Sequence, residues 1–371
     1  MTGVHYEVLN PVSSPAHSGL REATPIAVIG TGNVGGALLD LLAERDHPGL
    51  ELVALANSRR MLFCEEGITA AGVVSRLDGE GEVTDIAALE TRLHGLAGQA
   101  IIVDLTASAA VAATHSHWLK AGFSVVTANK WAASGDGSDN QALLATLGQA
   151  RTGYRYSTTV GAGLPLLETI RRLHQSGDRI HSVAGLFSGT LSFLMKGLGD
   201  GRAFSECVHQ AQQQGLTEPD PRLDLSGVDV ARKLVITARA AGIKLDLADV
   251  DIESLVPEAL ATWPLDCFLQ DGEPYLDAAW QDTLAQRSAN GVPRYVGSVD
   301  HSGTARVGIQ WLEVDHPFAT VGPTDNIFEI RSDSYQDTPI LIRGPGAGAR
   351  VTAVQVLADV LGARASFTIS Y

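Results

Sequence analysis

The stretch Pro25-Ile26-Ala27-Val28-Ile29-Gly30-Thr31-Gly32-Asn33-Val34-Gly35 decides the architecture. A short apolar run ends in a Gly-x-Gly-x-x-Gly turn and opens a helix-like segment at 34–42, the context that a dinucleotide fingerprint requires. Gly30 permits the tight turn, Gly32 lets the backbone approach a pyrophosphate, and Gly35 lets the helix pack closely on the strand. The helix N-terminus adds free N–H donors and a positive dipole end for the phosphates. Further apolar runs follow at 51–56, 100–105 and 123–127, with helical stretches such as 109–120 between them. Short buried strands alternating with helices predict an α/β domain of Rossmann type, with a doubly wound parallel sheet. It is placed at residues 25–155, after a polar, aperiodic leader at 1–24.

The pattern then changes. Helices are expected at 164–174, 191–198, 204–214 and 228–241, and strands at 180–187, 294–299, 304–314, 327–331 and 340–342. This describes an α+β domain at 156–344. The turn Gly344-Pro345-Gly346-Ala347-Gly348 precedes a last helix at 351–361.

Composition narrows the function classes. The 371 residues carry 42 acidic against 27 basic side chains, for a net charge of −15. Nucleic acid and anionic membranes are thereby disfavoured as partners, because both need a basic face. No apolar run approaches the ~20 residues of a membrane span, and no signal segment opens the chain, so a cytoplasmic protein is expected. Cys64, Cys207 and Cys267 are far apart and show no metal or disulfide spacing, which reads as reduced thiols.

The end of the second strand bears on the cofactor. A site for NAD places an acid there for the ribose 2′-hydroxyl. Here the segment reads Ala56-Asn57-Ser58-Arg59-Arg60. With no acid and two arginines available to neutralise a 2′-phosphate, NADP is favoured over NAD. The plainer reading is a solvated loop with surface arginines.

Two later strand ends, Asp104-Leu105-Thr106-Ala107-Ser108 and Thr127-Ala128-Asn129-Lys130, lie where ligands bind in open α/β sheets. Alone, Lys130 reads as a surface lysine, and Asp104 or Ser108 as a helix cap. The apolar turn Val160-Gly161-Ala162-Gly163-Leu164-Pro165 suggests close backbone packing, although its carbonyls can also hold a hard monovalent cation. Residues 215–233 are the most unusual stretch, a proline-held loop of carboxylates feeding a helix. Ser226 is the expected N-cap, with Asp229 completing a capping-box-like pattern. Asp229 and Lys233 are four apart and share one helix face, either as a surface ion pair or as a site. Lysine beside carboxylates in a cleft can protonate a carbonyl oxygen or stabilise an alkoxide, and Glu218 and Asp229 can bind a substrate ammonium.

Together these motifs resemble homoserine dehydrogenase, closest to the dehydrogenase half of the bifunctional aspartokinase–homoserine dehydrogenases. The carrying residues are 30–39, 56–58, 126–130, 160–165, 185–190, 215–233 and 346–348. The resemblance implies NADP- or NAD-dependent interconversion of L-aspartate 4-semialdehyde and L-homoserine, in threonine and methionine biosynthesis. It implies Lys233 as proton donor, Lys130 at the cofactor–substrate junction, Glu218 and Asp229 as homoserine ligands, and Asp224 as an acid near the substrate. Nucleotide contacts are implied at Gly30, Gly32, Asn33, Val34, Gly35, Arg59, Thr106, Lys130, Gly215 and Gly348. The carbonyls of Val160, Ala162 and Leu164 are implied for sodium or potassium. A homodimer through the second domain is implied, with the segment 345–371 returning to the first.

Three positions depart from the family pattern. Ser157 stands where a carboxylate is usual, which weakens the implied cation site. Trp131 replaces a second lysine, and Leu223 replaces an acid. With no kinase domain expected before residue 25 and no regulatory domain after the last helix, feedback control through such a domain is expected to be absent. An acylating semialdehyde dehydrogenase would need a nucleophilic cysteine, and none of the three has a site-like setting. The remaining rival is a non-catalytic NADP(H)-binding sensor or scaffold of the same fold.

Overall fold

A computed structural model describes residues 23–96, 99–136, 143, 146, 153–285 and 291–368. The leader lies outside the described residues except for its last two positions. The first sheet comprises β1 (Thr24–Ile29), β2 (Leu50–Ala56), β3 (Arg60–Phe63), β4 (Glu82–Val83), β5 (Ile101–Asp104), β6 (Ser124–Thr127) and β7 (Tyr154–Arg155). Its order is β4-β3-β2-β1-β5-β6-β7, so the chain reverses its winding at β1, the switch point where open α/β sheets bind ligands.

Strand β1 shows why the sheet is buried on both faces. Ile26 and Val28 join a core with Leu38 of the first helix (Asn33–Glu44). Ala27 and Ile29 point the other way, into a cluster with Leu89, Leu93 and Trp118. The last helix, Ala349–Thr368, packs against the first face through Ala353, Val356, Val360 and Ala363. Arg350 fastens its start to Glu44 with two 2.7 Å contacts.

Two local expectations are corrected. The sheet is not wholly parallel: β3 and β4 form an antiparallel edge. The Asn57 side chain makes this reversal by accepting the N–H groups of Arg59 and Arg60, each at 2.8 Å. The helical stretch 109–120 is two pieces, Ala109–Ala113 and His115–Lys120. Thr114 turns its N–H (3.0 Å) and hydroxyl (2.7 Å) back to the Val111 carbonyl, which breaks the regular ladder.

The second sheet comprises β8 (Ile180–Leu186), β9 (Asp251–Ile252), β10 (Val292–Asp300), β11 (Ala305–Leu312), β12 (Asp325–Ser332) and β13 (Ile340–Pro345), in the order β13-β12-β8-β10-β11-β9. Its neighbours are antiparallel except β11 with β9. Helices Leu166–Gln175, Gly189–Gly199, Phe204–Gln213 and Val228–Ala240 share a core with Val183, Tyr295, Val299 and Phe328. Leu186, Val296 and Ile327 belong to a separate cluster with Phe318 and Val321. Among the described residues no helix is long and apolar enough to cross a membrane.

Candidate active site

The glycine-rich turn has the shape its sequence requires. Gly30 sits at φ +105°, and a Cβ there would lie 2.8 Å from the Leu105 carbonyl carbon. A Cβ on Gly35 would lie 2.0 Å from the Gly30 oxygen, whereas one on Gly32 would meet nothing within 4 Å. Gly32 also precedes the first helix without any side-chain cap, so the N–H groups of Asn33 and Val34 at its start are left for a ligand. A phosphate-sized anion fits this cradle. At the end of β2, Arg60 turns away to the Gly81 carbonyl (2.8 Å), while Arg59 is exposed and its guanidinium contacts no acceptor among the described residues. Among the described residues, only Arg59 of the two arginines therefore keeps its guanidinium free for a 2′-phosphate.

A buried polar network organises the ends of β5 and β6. Asp104 accepts the Thr106 N–H (2.9 Å) and the Asn129 amide (3.0 Å), and its third partner is His115 Nε2 (2.9 Å). Asn129 also donates to the Thr106 hydroxyl (3.3 Å) and the Ser108 carbonyl (2.9 Å). Ser108 is the helix cap, accepting from Val111 at 3.3 Å; Asp104 instead fixes the loop. His115 carries no mark in its local sequence, and Asn129 is marked only as part of the strand end at 127–130. Their roles depend on residues that only the sheet brings together.

This network places Lys130, whose Nζ lies 2.6 Å from Asp229 Oδ1. The other oxygen of Asp229 is 2.8 Å from Lys233 Nζ, which also donates to the Phe187 carbonyl at 2.8 Å. Burial alone would raise the Asp229 carboxyl, but Lys233 and Lys130 outweigh it and hold the group well below the usual carboxylate range. The expected capping box does not form. Gly227, at φ +73°, precedes the helix, and Asp229 is spent on the lysines. Ser226 instead donates to the Leu223 carbonyl at 2.9 Å and accepts the Val228 N–H at 3.3 Å. Trp131, half-exposed, lies under the Arg232 guanidinium at 4.0 Å from its ring centroid, so it ties the 130–135 turn to the same helix.

The carboxylate loop is anchored from beneath. Arg222 binds Asp220 (2.7 Å) and the carbonyls of Trp263 (2.6 Å) and Leu260 (3.3 Å). Glu218 is left exposed, and Asp224 accepts its N–H at 2.8 Å. Burial, with Glu218 and Asp229 nearby, raises the Asp224 carboxyl above its ordinary value. Gly215, at φ +66°, opens this loop, and the Thr190 hydroxyl holds the adjoining Leu216 carbonyl at 2.5 Å. Gly348, at φ +131°, starts the last helix beside Val351, and Leu223 stands exposed.

The turn at 160–165 packs as its glycines suggest. A Cβ on Gly163 would lie 2.7 Å from Val351 Cγ1. Ala162 adopts φ +54°, and no hydrogen bond among the described residues reaches the carbonyl of Val160 or Ala162; that of Leu164 accepts the Leu166 N–H at 2.8 Å. Ser157 donates to Asp359 Oδ1 at 3.2 Å. Asp359 Oδ2 is buried without a hydrogen-bond partner among the described residues, and burial pushes this carboxyl up to about 6. Two unengaged carbonyls and an orphaned carboxylate oxygen fit a hard cation.

Comparison with known proteins points to one family. Residues 165–361 match the family model described as homoserine dehydrogenase, and residues 30–156 match the one described as homoserine dehydrogenase, NAD binding domain. The Zea mays chloroplastic bifunctional aspartokinase/homoserine dehydrogenase 2 is 40% identical over 349 residues, covering 91% of this chain and 38% of that protein. The chain thus spans well under half the length of such relatives. The homoserine dehydrogenase of Saccharomyces cerevisiae is 35% identical, with 91% of this chain and 96% of that protein covered. A Candida auris crystal structure described as of unknown function superposes with a TM-score of 0.82 at 31% identity, covering 92% of this chain and 98% of that one.

Two outcomes follow from this geometry. Gly32→Ala is expected to melt like the parent yet bind NADPH at least ~10-fold more weakly, a loss of about 1.4 kcal/mol, whereas Gly35→Ala is expected to lose both stability and binding. Thermal melting with fluorescence titration checks this; unchanged affinity in Gly32→Ala would contradict the cradle. Asp224 is raised, so its charged form costs stability at neutral pH, and the cost disappears as pH falls through its folded-state value. Asp224→Asn is therefore expected to raise the melting temperature at pH 7.5 by roughly 2 °C, with the gain shrinking towards pH 4. A gain independent of pH would refute that origin.

Proposed function

The chain belongs to the homoserine dehydrogenase family, and we propose that it interconverts L-aspartate 4-semialdehyde and L-homoserine with NADP(H). One observation carries this reading. Lys233 spends two of its three N–H donors on Asp229 and the Phe187 carbonyl, which leaves one for a substrate oxygen. Bound in the cradle, the nicotinamide cofactor supplies the hydride. Lys233 gives its proton to the aldehyde oxygen as that oxygen becomes an alcohol, and in the reverse direction it accepts that proton. Lys130, held by the opposite oxygen of Asp229, adds positive charge where the alkoxide develops.

Asp229 already carries an ammonium on each oxygen, so it serves the lysines. Glu218 and Asp224 are left to hold the substrate's own ammonium. Thr106 and Gly348, at the ends of β5 and β13, complete the nucleotide side with Gly215. The free Arg59 supports NADP over NAD. The turn at 160–164 holds a monovalent cation in this reading. A homodimer through the second sheet belongs to it as well, because the edge strand β13 leaves Leu341 exposed. The free thiols of Cys64, Cys207 and Cys267 support a cytosolic setting.

Lys233→Ala is expected to lower kcat for homoserine oxidation by ~10²–10⁴ in folded protein, with a smaller change in KM. Near-parental turnover would remove Lys233 from acid–base work. Arg59→Ala is expected to weaken NADP⁺ binding roughly tenfold and leave NAD⁺ binding unchanged, as equilibrium titration would show. Equal losses for both nucleotides would sink the 2′-phosphate assignment.

A further inference from the structure

The last helix lies along the turn at 157–168 by one stripe. Val351 meets Gly163, Gln355 donates to Glu168 at 3.2 Å, and Asp359 accepts from Ser157 at 3.2 Å. These three helix residues are four apart, so they share a face. Asp359 is 1% exposed, and its Oδ2 has no hydrogen-bond partner among the described residues. It makes no ion pair among the described residues: the nearby Arg155 gives its guanidinium to the Gly362 carbonyl, at 2.9 Å. A buried carboxylate that the nearest guanidinium acts on only at a distance is costly, and the oxygen left over calls for a donor or a cation.

The neighbouring backbone indicates a cation. Residues Ser157–Thr159 form one 3-10 turn that leads directly into Val160, so the Ser157 contact to Asp359 and the Val160 carbonyl belong to one short stretch of chain. That carbonyl and the one of Ala162 belong to buried residues and accept no hydrogen bond among the described residues. The left-handed Ala162, at φ +54°, is backbone strain of the kind retained where carbonyls must be aimed. One carboxylate with neutral oxygens balances a single positive charge, whereas a divalent ion draws on more carboxylates.

We infer that Asp359, reaching across from the last helix, is the anionic ligand of a monovalent cation held by the Val160 and Ala162 carbonyls. It supplies the charge that Ser157 cannot. The inference rests on the reading of this turn as a cation site, but not on the reaction. The cation then fastens the last helix, and with it the turn at 344–348, to the second domain.

Thermal unfolding of the full chain without nucleotide tests this, at pH 7.5 and constant ionic strength, with NaCl or KCl exchanged for choline chloride. The parent is expected to melt higher in sodium or potassium than in choline, with saturation. In Asp359→Asn the midpoint of that response should rise at least tenfold, or the response should vanish. The variant should still melt no lower than the parent in choline, since an uncompensated buried charge is gone. Adding Ser157→Glu to Asp359→Asn should restore the response, a rescue that a purely structural role would not give. Broadening of the ²³Na resonance by the parent, reversed by potassium and absent in Asp359→Asn, gives a second readout. A parent that melts alike in all three salts overturns the inference, as does an Asp359→Asn variant with an unchanged midpoint. Absence of homoserine turnover with an intact cation response would count against the proposed reaction alone.

Discussion

The carboxylate of Asp229 is the joint on which the site depends. Lys130 reaches it from the end of β6 in the first sheet, and Lys233 reaches it from one turn further along its own helix. Two ammonium groups this close would repel each other, and at a half-buried position water screens that repulsion only partly. A carboxylate with one oxygen for each lysine turns the repulsion into a clamp between the two domains. Removing it would leave the Lys130 ammonium without its ion pair, whereas Lys233 would keep its bond to the Phe187 carbonyl.

Helix Val228–Ala240 makes the same crossing elsewhere. Arg232 covers Trp131, and Arg239 donates to the carbonyls of Ala133 (2.9 Å) and Gly135 (2.8 Å) while pairing with Asp246 at 2.6 Å. Asp229, Arg232 and Arg239 thus bind the 130–135 turn to one helix. On the other side of that turn, Asp104, His115 and Asn129 form a fully buried network whose members are mutually satisfied. Such networks hold geometry because each lost partner leaves a buried polar group stranded. Lys130 is therefore fixed from below by hydrogen bonds and from above by an ion pair, as a group aimed at reacting atoms needs to be.

The sequence made the first sheet legible because β1 ends in a glycine turn with a fixed stereochemical meaning and because buried parallel strands are short apolar runs. The antiparallel edge at β3 escaped, since four residues after an Asn-closed turn carry no periodicity. Lys233 and Asp229 were readable as a helix pair, yet the third member, Lys130, read by its own residues as a surface lysine, because its partner Asp229, 2.6 Å away, lies 99 residues further along the sequence. Ser226 misled for a related reason: its capping pattern is a local preference, and the tertiary demand on Asp229 outweighed it. Asp359 gave no signal at all. An acid in an amphipathic helix normally faces water, and only the packing of that helix shows this one sealed against Ser157.

The measurement that bears most directly on this account is a double-mutant cycle between Lys130→Met and Asp229→Asn, read as kcat/KM for homoserine-dependent NADP⁺ reduction. If Asp229 acts by holding Lys130, the two losses overlap, and the double variant falls short of their product by at least about 1 kcal/mol. Losses that multiply would mean that the two residues act independently, and the clamp would not be the basis of the site.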